Sequence, residues 1–265
     1  MTAIALDRVT LSIAGNTILS DISLDVGEGE FVGVLGANGS GKTTLMKAIL
    51  GLLPLRSGTI RVLGQPATRG NPAIGYLPQS HATPPGLRLS GRDILAASIR
   101  GHRYGLPIVS AADAQAIDRC LDMVGARQLA GRDFSDMSGG ERQRLLIAEA
   151  LIGAPRVLIL DEPLISLDPH QQKVVVDLVR DLSRELNLTV LFSAHELNQV
   201  LGAIDRVLYL GQGAAALGSV DEVINPETLS RLYGAPIEVV RAAGKIFVMS
   251  GGQVVERDQH HDHAH

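Results

Sequence analysis

A chain of 265 residues can bury a sizeable core, and it is long enough for one large domain or for one domain with a small appendage. Its net charge is −4 and its lysines and arginines are spread along the chain, so it lacks the basic patch of a nucleic-acid-binding protein. The single cysteine, Cys120, excludes an intramolecular disulfide and any metal site built on a cysteine pair, and a reducing cytosolic setting fits.

Membrane-directing segments are not expected. Residues 1–8 lack the charged region and the long apolar region of a signal peptide. No stretch approaches the ~20 apolar residues that are needed to span a bilayer. If this protein works at a membrane, we expect another chain to supply the spans.

The amino-terminal part has the pattern of β-structure, with apolar positions interrupted at Gly15 and Asn16. We expect short antiparallel strands and hairpins there, and then a buried strand over residues 31–35. Two further strands are expected at residues 59–63 and 74–79.

A glycine-rich loop, residues 36–43, lies between the buried strand and a helical run that ends near Gly51. Its glycines let backbone N–H groups turn inward around a triphosphate, and the helix that starts near Gly41 adds the positive end of its dipole. Lys42 is placed to reach the β- and γ-phosphates, and the Thr43 hydroxyl to bind Mg²⁺. The strand before and the helix after argue against a chance glycine-rich turn. The loop therefore predicts nucleotide binding, but not what the nucleotide is used for.

Residues 80–136 have a different sequence pattern, which is typical of a helical insert in an α/β protein. A helix is expected over residues 91–99. Ser110 and Asp113 match a capping box ahead of apolar residues at helical spacing. We expect Cys120 to pack in this second helix as a small hydrophobic residue.

The second half of the chain alternates strands and helices. Residues 157–160 are wholly apolar, which suits a central parallel strand, and Asp168 followed by Pro169 predicts the start of a helix with one apolar stripe. The next strand, residues 189–192, places His195 just beyond its carboxyl end. Such alternation implies right-handed parallel crossovers, with ligands at the carboxyl ends of the strands. Short late strands are expected at residues 206–210, 214–217, 236–240 and 246–249.

Two carboxylates, Asp161 and Glu162, follow the buried strand at residues 157–160 and are the second element expected of a nucleoside triphosphatase. Asp161 is placed to hold Mg²⁺, and Glu162 to act as general base or to orient the attacking water. A helix-capping acidic pair is the alternative, and the phosphate loop upstream makes it the minor one.

A second anion site is indicated by Ser138, Gly139 and Gly140, which open a helix that runs to Leu151. A hydroxyl group, bare N–H groups and the positive helix end are expected to face outward there, whereas an ordinary cap needs only the serine. Because the Lys42 loop already holds a triphosphate, a second phosphate site on one chain is redundant. The redundancy is resolved if this loop binds a nucleotide held by another subunit, so that ATP joins two chains and hydrolysis removes the joint.

Together these motifs resemble those of the ATP-binding cassette (ABC) superfamily, and the resemblance covers residues 4–220. Six motifs occur in family order: Walker A at residues 36–43, the Q-loop at Gln79, the signature at residues 138–143, Walker B at residues 157–162, the D-loop at residues 166–168 and the switch histidine at His195. Each motif is weak alone, and their order and spacing make the signal strong.

The resemblance implies an α/β fold: a P-loop (RecA-like) core with an N-terminal antiparallel β subdomain and a helical insert. On that basis we assign the nucleotide-binding core with its β subdomain to residues 1–79 and 154–220. The helical subdomain with the signature is assigned to residues 80–153, a C-terminal extension to residues 221–257 and a His-rich tail to residues 258–265.

The resemblance also implies ATP hydrolysis with ATP and Mg²⁺ as cofactors. His195 is expected to hydrogen-bond the γ-phosphate held by its own Walker A loop, and Ser138 and Gly140 to contact the γ-phosphate held by the opposite subunit. The alternatives are a satisfied buried histidine at His195 and an edge-strand amide in a turn at Gln79. The catalytic residues so implied are Glu162, His195 and Gln79, and the Mg²⁺ ligands are Thr43, Gln79 and Asp161. The nucleotide-binding residues so implied are Gly36, Asn38, Gly39, Ser40, Gly41, Lys42, Thr43, Thr44, Ser138, Gly139 and Gly140.

Three positions depart from the family pattern. Glu141 replaces the usual glutamine of the signature, a common variation that leaves Ser138 and the glycines intact. Residues 164–166 differ from the usual Thr-Ser-Gly or Phe-Ser-Ala of the D-loop. Ile13 lies where an aromatic residue usually stacks on adenine, and because an aliphatic contact lacks π-stacking, weak selectivity for the base is expected.

The biological role expected from the resemblance is transport. The stretch between Lys42 and Ser138 is too short for the long coiled coil of repair-type ABC proteins, and the chain lacks the second cassette of translation types. A stand-alone cassette without spans resembles the importer arrangement, in which a homodimer docks beneath a permease at the cytoplasmic face of the membrane. An extracytoplasmic substrate-binding protein is expected in the same system. The alternative from another class is a soluble ABC regulator or assembly protein whose ATP-driven dimerisation controls a cytosolic partner.

We expect the permease to dock in the groove between Gln79 and the helical insert, a groove that includes residues 88–103. This groove would receive a short cytoplasmic helix of the permease. The motivating feature is the position of the insert directly after Gln79.

The substrate is expected to be a metal. Residues 228–234 and 246–248 resemble the C-terminal extension of zinc, manganese and iron-chelate importer ATPases, and a generic helix and strand packed on the core is the alternative. The favoured function is therefore that of a divalent-metal importer, and the alternatives are an iron-chelate importer or an exporter.

The last eight residues hold four histidines and two aspartates, a composition that suits Zn²⁺ binding. A polar tail or an expression remnant is an equally weighted alternative. The candidate tail ligands are His260, His261, His263 and His265.

Overall fold

The computed structural model describes residues 1–79, 88–100, 110–250 and 253–254. The elements up to residue 151 are β1 (Thr2–Ile13), β2 (Asn16–Gly27), β3 (Phe31–Leu35), α1 (Lys42–Ile49), β4 (Ser57–Val62), β5 (Gln65–Pro66), β6 (Ile74–Leu77), α2 (Gly91–Arg100), α3 (Ala111–Met123) and α4 (Gly139–Leu151). The later elements are β7 (Val157–Leu160), α5 (Pro169–Leu186), β8 (Thr189–Ser193), α6 (Leu197–Val200), β9 (Arg206–Gly211), β10 (Ala214–Gly218), α7 (Val220–Val223), α8 (Pro226–Tyr233), β11 (Ile237–Ala242), β12 (Lys245–Ser250) and β13 (Gln253–Val254).

A six-stranded sheet forms the centre of the fold, in the order β10-β9-β3-β8-β7-β6, and its neighbours are parallel except for β9 and β10. Strands β3, β7 and β8 are buried along their whole length, as apolar runs predict for strands covered on both faces. On β3, Phe31 and Leu35 belong to one core cluster and Val32 and Val34 to the other. The predicted α/β core with parallel crossovers is confirmed.

The amino-terminal sheet is antiparallel, in the order β2-β1-β4-β5. Strands β1 and β2 form one long hairpin of 12 residues each, so the expectation of several short strands there is wrong. Register shifts along the pair break the alternation of apolar residues, which makes one long strand resemble several short ones in sequence. The turn has φ of 48° at Ala14 and 86° at Gly15, the left-handed geometry that suits a two-residue hairpin turn.

Helices α2, α3 and α4 pack on one another, and α4 packs on β6. The predicted capping box is present: the Ser110 hydroxyl accepts from the Asp113 N–H group, and the Asp113 carboxylate accepts from the Ser110 N–H group. Cys120 is buried in α3, and burial raises the pKa of its thiol to about 11, so it packs as a neutral side chain. Close approach of α4 needs Gly75, because a Cβ there would lie 2.1 Å from the Ala150 carbonyl oxygen.

Helix α5 begins as predicted. The Asp168 carboxylate accepts from the Gln171 N–H group at 2.8 Å, and Pro169 occupies the first helical position. The rest of α5 buries one apolar stripe against the parallel sheet, so the helix fixes the segment that follows Glu162.

The carboxyl-terminal part adds α7, α8 and a small antiparallel sheet in the order β11-β12-β13. It is joined to the central sheet where the hydroxyl groups of Tyr209 on β9 and Tyr233 on α8 lie 2.5 Å apart. The late strands occur where they are predicted, each with slightly different ends.

The four candidate metal ligands of the tail lie outside the described residues. Within the described residues, no helix has the length and apolar character to cross a membrane.

Candidate nucleotide site

The loop between β3 and α1 has the backbone that a phosphate cradle requires. Gly36 has φ of 141°, and a Cβ there would lie 2.3 Å from the Leu210 carbonyl oxygen, so only glycine fits. Gly41, at φ of 104°, is the N-cap of α1 and supplies no side-chain cap to the first N–H groups of the helix. These N–H groups are the ones that bind anions at helix amino termini.

Lys42 lies at this cradle and is 5% exposed. Its ammonium group donates to the carbonyl oxygens of Gly36 at 2.7 Å and Ala37 at 3.3 Å, which places the cation on the loop that the sequence predicts to bind phosphate. The Ser40 hydroxyl oxygen is buried and has no hydrogen-bond partner among the described residues. Asn38 and Gly39 are exposed on the loop, and Thr44 is half-buried in α1.

Asp161 follows β7 and is fully buried. Its Oδ1 accepts hydrogen bonds from the hydroxyl groups of Thr43 and Ser193, both at 3.1 Å. Its Oδ2 is buried and has no hydrogen-bond partner in the described part of the chain. An orphaned carboxylate oxygen beside a threonine hydroxyl is the donor set that Mg²⁺ prefers, so these residues fit a magnesium ion.

Glu162, Gln79 and His195 form one cluster. The Glu162 Oε2 atom accepts from Gln79 Nε2 at 2.5 Å and lies 2.9 Å from His195 Nε2. Glu162 is 8% exposed, whereas the His195 side chain is 41% exposed. The three residues follow β6, β7 and β8, which are adjacent in the sheet, so the carboxyl ends of parallel strands bring them together.

Glu162 also has a strained backbone. Its φ is 51°, in the left-handed region that non-glycine residues seldom adopt. The Ser193 hydroxyl holds this turn, because its oxygen accepts from the Glu162 N–H group at 2.6 Å. Ser193 is a site residue that the sequence analysis missed. The available signal was a small hydroxyl residue two positions before His195, at the end of an apolar strand.

The Ser138 loop begins α4 with a capping box. The Ser138 N–H group donates to the Glu141 carboxylate at 2.8 Å, and the Ser138 hydroxyl accepts from the Glu141 N–H group at 3.3 Å. A reciprocal capping box thus uses the N–H group of Ser138, and the expectation of bare N–H groups at the glycines stays a prediction. The hydrogen bond from the Ser138 backbone is the first cause of a lowered pKa at Glu141, and Arg132 pairs with the same carboxylate at 2.7 Å.

The structure brings together the phosphate loop and the residues at the strand ends, whereas the signature residues belong to a separate group of contacts. Gly139 and Gly140 pack beside Leu167 and Gln171, at the start of α5. No hydrogen bond joins Ser138 to the loop at residues 36–43 within the described residues. Ile13, the predicted base contact, is 45% exposed at the tip of the β1–β2 hairpin.

Tyr76 on β6 lies near this group of carboxylates. Burial, and then the charge of Asp161, raise the pKa of Tyr76 to about 12. Its hydroxyl group therefore stays neutral throughout the physiological pH range.

Comparison with known proteins identifies the family. Residues 19–165 match the sequence profile described as ABC transporter, which is more than half of the chain. The chain belongs to the ABC transporter family. It binds ATP and is an ATPase, as the ATP-binding proteins of this family are.

Individual relatives agree with this assignment. This ABC ATPase is 32% identical to the manganese transport system ATP-binding protein MntB of Bacillus subtilis, over 91% of this chain and 96% of the relative. It is 36% identical to the zinc import ATP-binding protein ZnuC of Paramagnetospirillum magneticum, over 87% of this chain and 80% of the relative. Among solved structures, it is similar to a metal-chelate type ABC transporter in an inward-facing conformation, with a TM-score of 0.79 and 28% identity, over 94% of this chain and 96% of that one.

Proposed function

We propose that this ABC ATPase is the ATP-hydrolysing subunit of an importer for a divalent metal, zinc or manganese. Support for import and for a metal substrate comes from the names of the manganese and zinc relatives, both above 30% identity over most of each chain. The observation that carries the catalytic part is the contact of Glu162 with both Gln79 and His195, beside the orphaned Asp161 oxygen.

The proposed ligands of Mg²⁺ are Thr43, Gln79 and Asp161. The buried Oδ2 of Asp161 supports this assignment, since it has no partner among the described residues and hard cations prefer carboxylate oxygens. When bound, Mg²⁺ neutralises charge that develops on the phosphate oxygens.

The proposed catalytic roles belong to the cluster at the strand ends. Glu162 accepts the proton of the attacking water, and its hydrogen bond from Gln79 holds the carboxylate in place. Lys42 and the N–H groups of residues 36–43 bind and orient the phosphates. His195 is free to donate to the γ-phosphate through the same Nε2 atom that now lies beside Glu162, because its side chain is partly exposed.

The test of this role is Glu162→Gln, which keeps the shape of the side chain and removes its basicity. The rate constant kcat is expected to fall by about 10²–10⁴-fold, the usual contribution of a general base, while ATP still binds. Glu185→Gln, an exposed position on α5, is the matched control and should hydrolyse ATP normally. Phosphate release under saturating ATP measures both, and an unaltered rate in Glu162→Gln would refute the assigned base.

The signature residues Ser138, Gly139 and Gly140 are proposed to complete the site of a second copy of this chain. Support comes from the hydrogen bonds of Ser138, which among the described residues go to Glu141 and not to the loop at residues 36–43. Two copies in this arrangement form a homodimer around two ATP molecules.

A groove beside Gln79 is proposed to receive a cytoplasmic helix of the permease. The groove is a cavity of about 210 Å³ between β6, α2 and α4, and Pro78 in its lining precedes Gln79. Its lining includes the apolar side chains of Leu77 and Leu146 together with Glu149 and Ser98, which are joined by a hydrogen bond of 2.5 Å. A helix with apolar side chains and one basic residue fits this lining.

Cross-linking tests the groove. With the whole transporter, Ser98→Cys should form a cross-link to the permease, and Ser23→Cys, an exposed serine on β2, should not. Part of the segment predicted to dock, residues 80–87 and 101–103, lies outside the described residues. If no cross-link joins residues 80–105 to the permease, this assignment is refuted. The proposed location of the chain at the cytoplasmic face of the membrane is then refuted as well.

Uptake of radiolabelled metal tests the substrate. Cells that lack this chain are expected to lose uptake of Zn²⁺ or Mn²⁺, and the wild-type chain, but not Glu162→Gln, should restore it. An iron-chelate importer is the second candidate, favoured by the similarity to the metal-chelate type transporter. Loss of iron-chelate uptake alone would select that candidate instead. An extracytoplasmic substrate-binding protein, proposed for the same system, should be required for the same uptake.

The His-rich tail is proposed to sense or buffer the transported metal. Its composition is the support, since imidazole and carboxylate groups at this density bind Zn²⁺. Deletion of residues 258–265, followed by titration with Zn²⁺, tests this role. An unchanged metal response of both ATPase activity and uptake would reject it.

A further inference from the structure

Asn198, in the segment after His195, forms hydrogen bonds with the carboxyl-terminal sheet. The Asn198 Nδ2 atom donates to the Ile246 carbonyl oxygen at 2.8 Å, and its Oδ1 atom accepts from the Ile246 N–H group at 2.9 Å. The carboxamide thus pairs both polar backbone groups of one residue on β12, as a neighbouring strand would. Such a two-bond contact fixes β12 and Asn198 relative to each other.

Asn198 lies three residues beyond His195, on a helix that packs tightly. Leu197 and Val200, the first and last residues of α6, are both 0% exposed. On the other side of His195, Ser193 is fully buried at the end of β8. The backbone around His195 is therefore held between a buried strand end and α6.

The carboxyl-terminal sheet is held by α7 and α8, which belong to the same extension, and by the hydrophobic core. The Ser230 hydroxyl on α8 accepts from the Ile237 N–H group of β11 at 2.9 Å. Arg241 on β11 pairs with Asp221 on α7 at 2.7 Å. Val248 on β12 is fully buried in the same core cluster as Leu197. The sheet can therefore act as a fixed support for α6.

His195 itself has little packing of its own. Its side chain is 41% exposed, and its contact with the Glu162 carboxylate is 2.9 Å long. Because the side chain is not enclosed, its place in the site depends on the backbone that carries it.

We propose that Asn198 is a positioning residue for ATP hydrolysis, through which the carboxyl-terminal sheet sets the place of His195 in the catalytic cluster. The inference rests on the proposed role of His195. It assigns to the carboxyl-terminal extension a control over hydrolysis that acts through the Asn198 carboxamide.

The test is a pair of substitutions in the full chain with a matched control. Asn198→Ala removes both hydrogen bonds, and Asn198→Asp keeps the acceptor for the Ile246 N–H group while it loses the donor. Asn225→Ala is the control, because Asn225 caps α8 in the same extension and contacts neither α6 nor β12 through the hydrogen bonds of the described residues. Steady-state kcat and the KM for ATP are measured for each, alone and combined with His195→Ala.

Asn198→Ala is expected to lower kcat by about fivefold or more with the KM for ATP within about twofold, since the change acts on a catalytic group rather than on nucleotide binding. Asn198→Asp should give an intermediate loss, and Asn225→Ala a normal kcat. In the His195→Ala background, Asn198→Ala should cause no further loss, because the two changes act on one pathway.

The outcomes that contradict the inference are distinct from those that contradict the proposed function. If His195→Ala lowers kcat and neither Asn198 variant does, the inference alone fails. It also fails if Asn198→Ala lowers kcat equally with and without His195, or if Asn225→Ala has the same effect. If His195→Ala leaves kcat unchanged, the proposed role of His195 fails as well. Should Asn198→Ala not fold, Asn198→Asp is judged by the same criteria.

Discussion

Ser193 shows how one hydroxyl group organises the catalytic residues. It accepts the N–H group of Glu162 at 2.6 Å and donates to the Asp161 carboxylate at 3.1 Å, and it is fully buried. Because Glu162 has φ of 51°, the turn that carries it needs such support. The same bond occupies one oxygen of Asp161 and leaves the other for a cation.

Ser193→Ala is expected to remove the hydrogen bonds that hold Asp161 and the backbone of Glu162. The Glu162 N–H group would be left buried without its partner, which costs about 1–3 kcal/mol of the free energy of unfolding. Because Glu162 would also be displaced, kcat should fall by about tenfold. Denaturant unfolding and steady-state hydrolysis measure the two effects.

Ser183→Ala is the matched control for Ser193→Ala. Ser183 is also buried, and its hydroxyl donates to the Leu188 carbonyl oxygen at 2.9 Å, at the far end of α5. The control should lose stability and keep kcat. Equal kcat values for the two variants would show that Ser193 has only a structural role.

At the scale of the elements, the contact of β6 with α4 decides where Gln79 and the signature helix lie. Gly75 makes this contact possible, since a Cβ there would lie 2.1 Å from the Ala150 carbonyl oxygen. Gly75→Ala is expected to push α4 away from β6 and to lower the free energy of unfolding by about 1–3 kcal/mol, the usual cost of overpacking. Thermal or denaturant unfolding measures the loss.

Gly202→Ala serves as the control for Gly75→Ala, because a Cβ at Gly202 would meet no atom within 4 Å and its backbone φ is ordinary. Its stability should equal or exceed that of the wild type. If Gly75→Ala were as stable as Gly202→Ala, the close packing of α4 on β6 would be refuted.

The elements also show what could be predicted from sequence. The phosphate loop, the capping box at Ser110 and the Asp168 cap follow from residues close together in the chain, and all three are present. The contacts of Ser193 with Glu162 and of Asn198 with Ile246 join distant segments, so local patterns do not reveal them. The long β1–β2 hairpin was missed because register shifts hide its alternation. The subdomain boundaries, and the roles of the site residues, stay predictions.

At the scale of the whole molecule, the central proposal is a nucleotide site shared between two copies of the chain. One chain supplies Lys42, Thr43, Asp161 and the Glu162 cluster, whereas Ser138 lies apart from them with no hydrogen bond to that loop among the described residues. We propose that a second copy completes this site, and twofold symmetry would then let each copy complete the site of the other.

The most direct measurement of this claim is the mass of the Glu162→Gln protein in solution with and without ATP and Mg²⁺. A mass of 28.0 kDa is expected without nucleotide and, by twofold pairing, a mass of about 56 kDa with it. Adding Ser138→Arg should prevent the dimer, whereas Ser110→Arg, which alters a comparable capping box on α3, should not. A chain that binds ATP but stays at 28.0 kDa, or a dimer that withstands Ser138→Arg, would contradict the shared site.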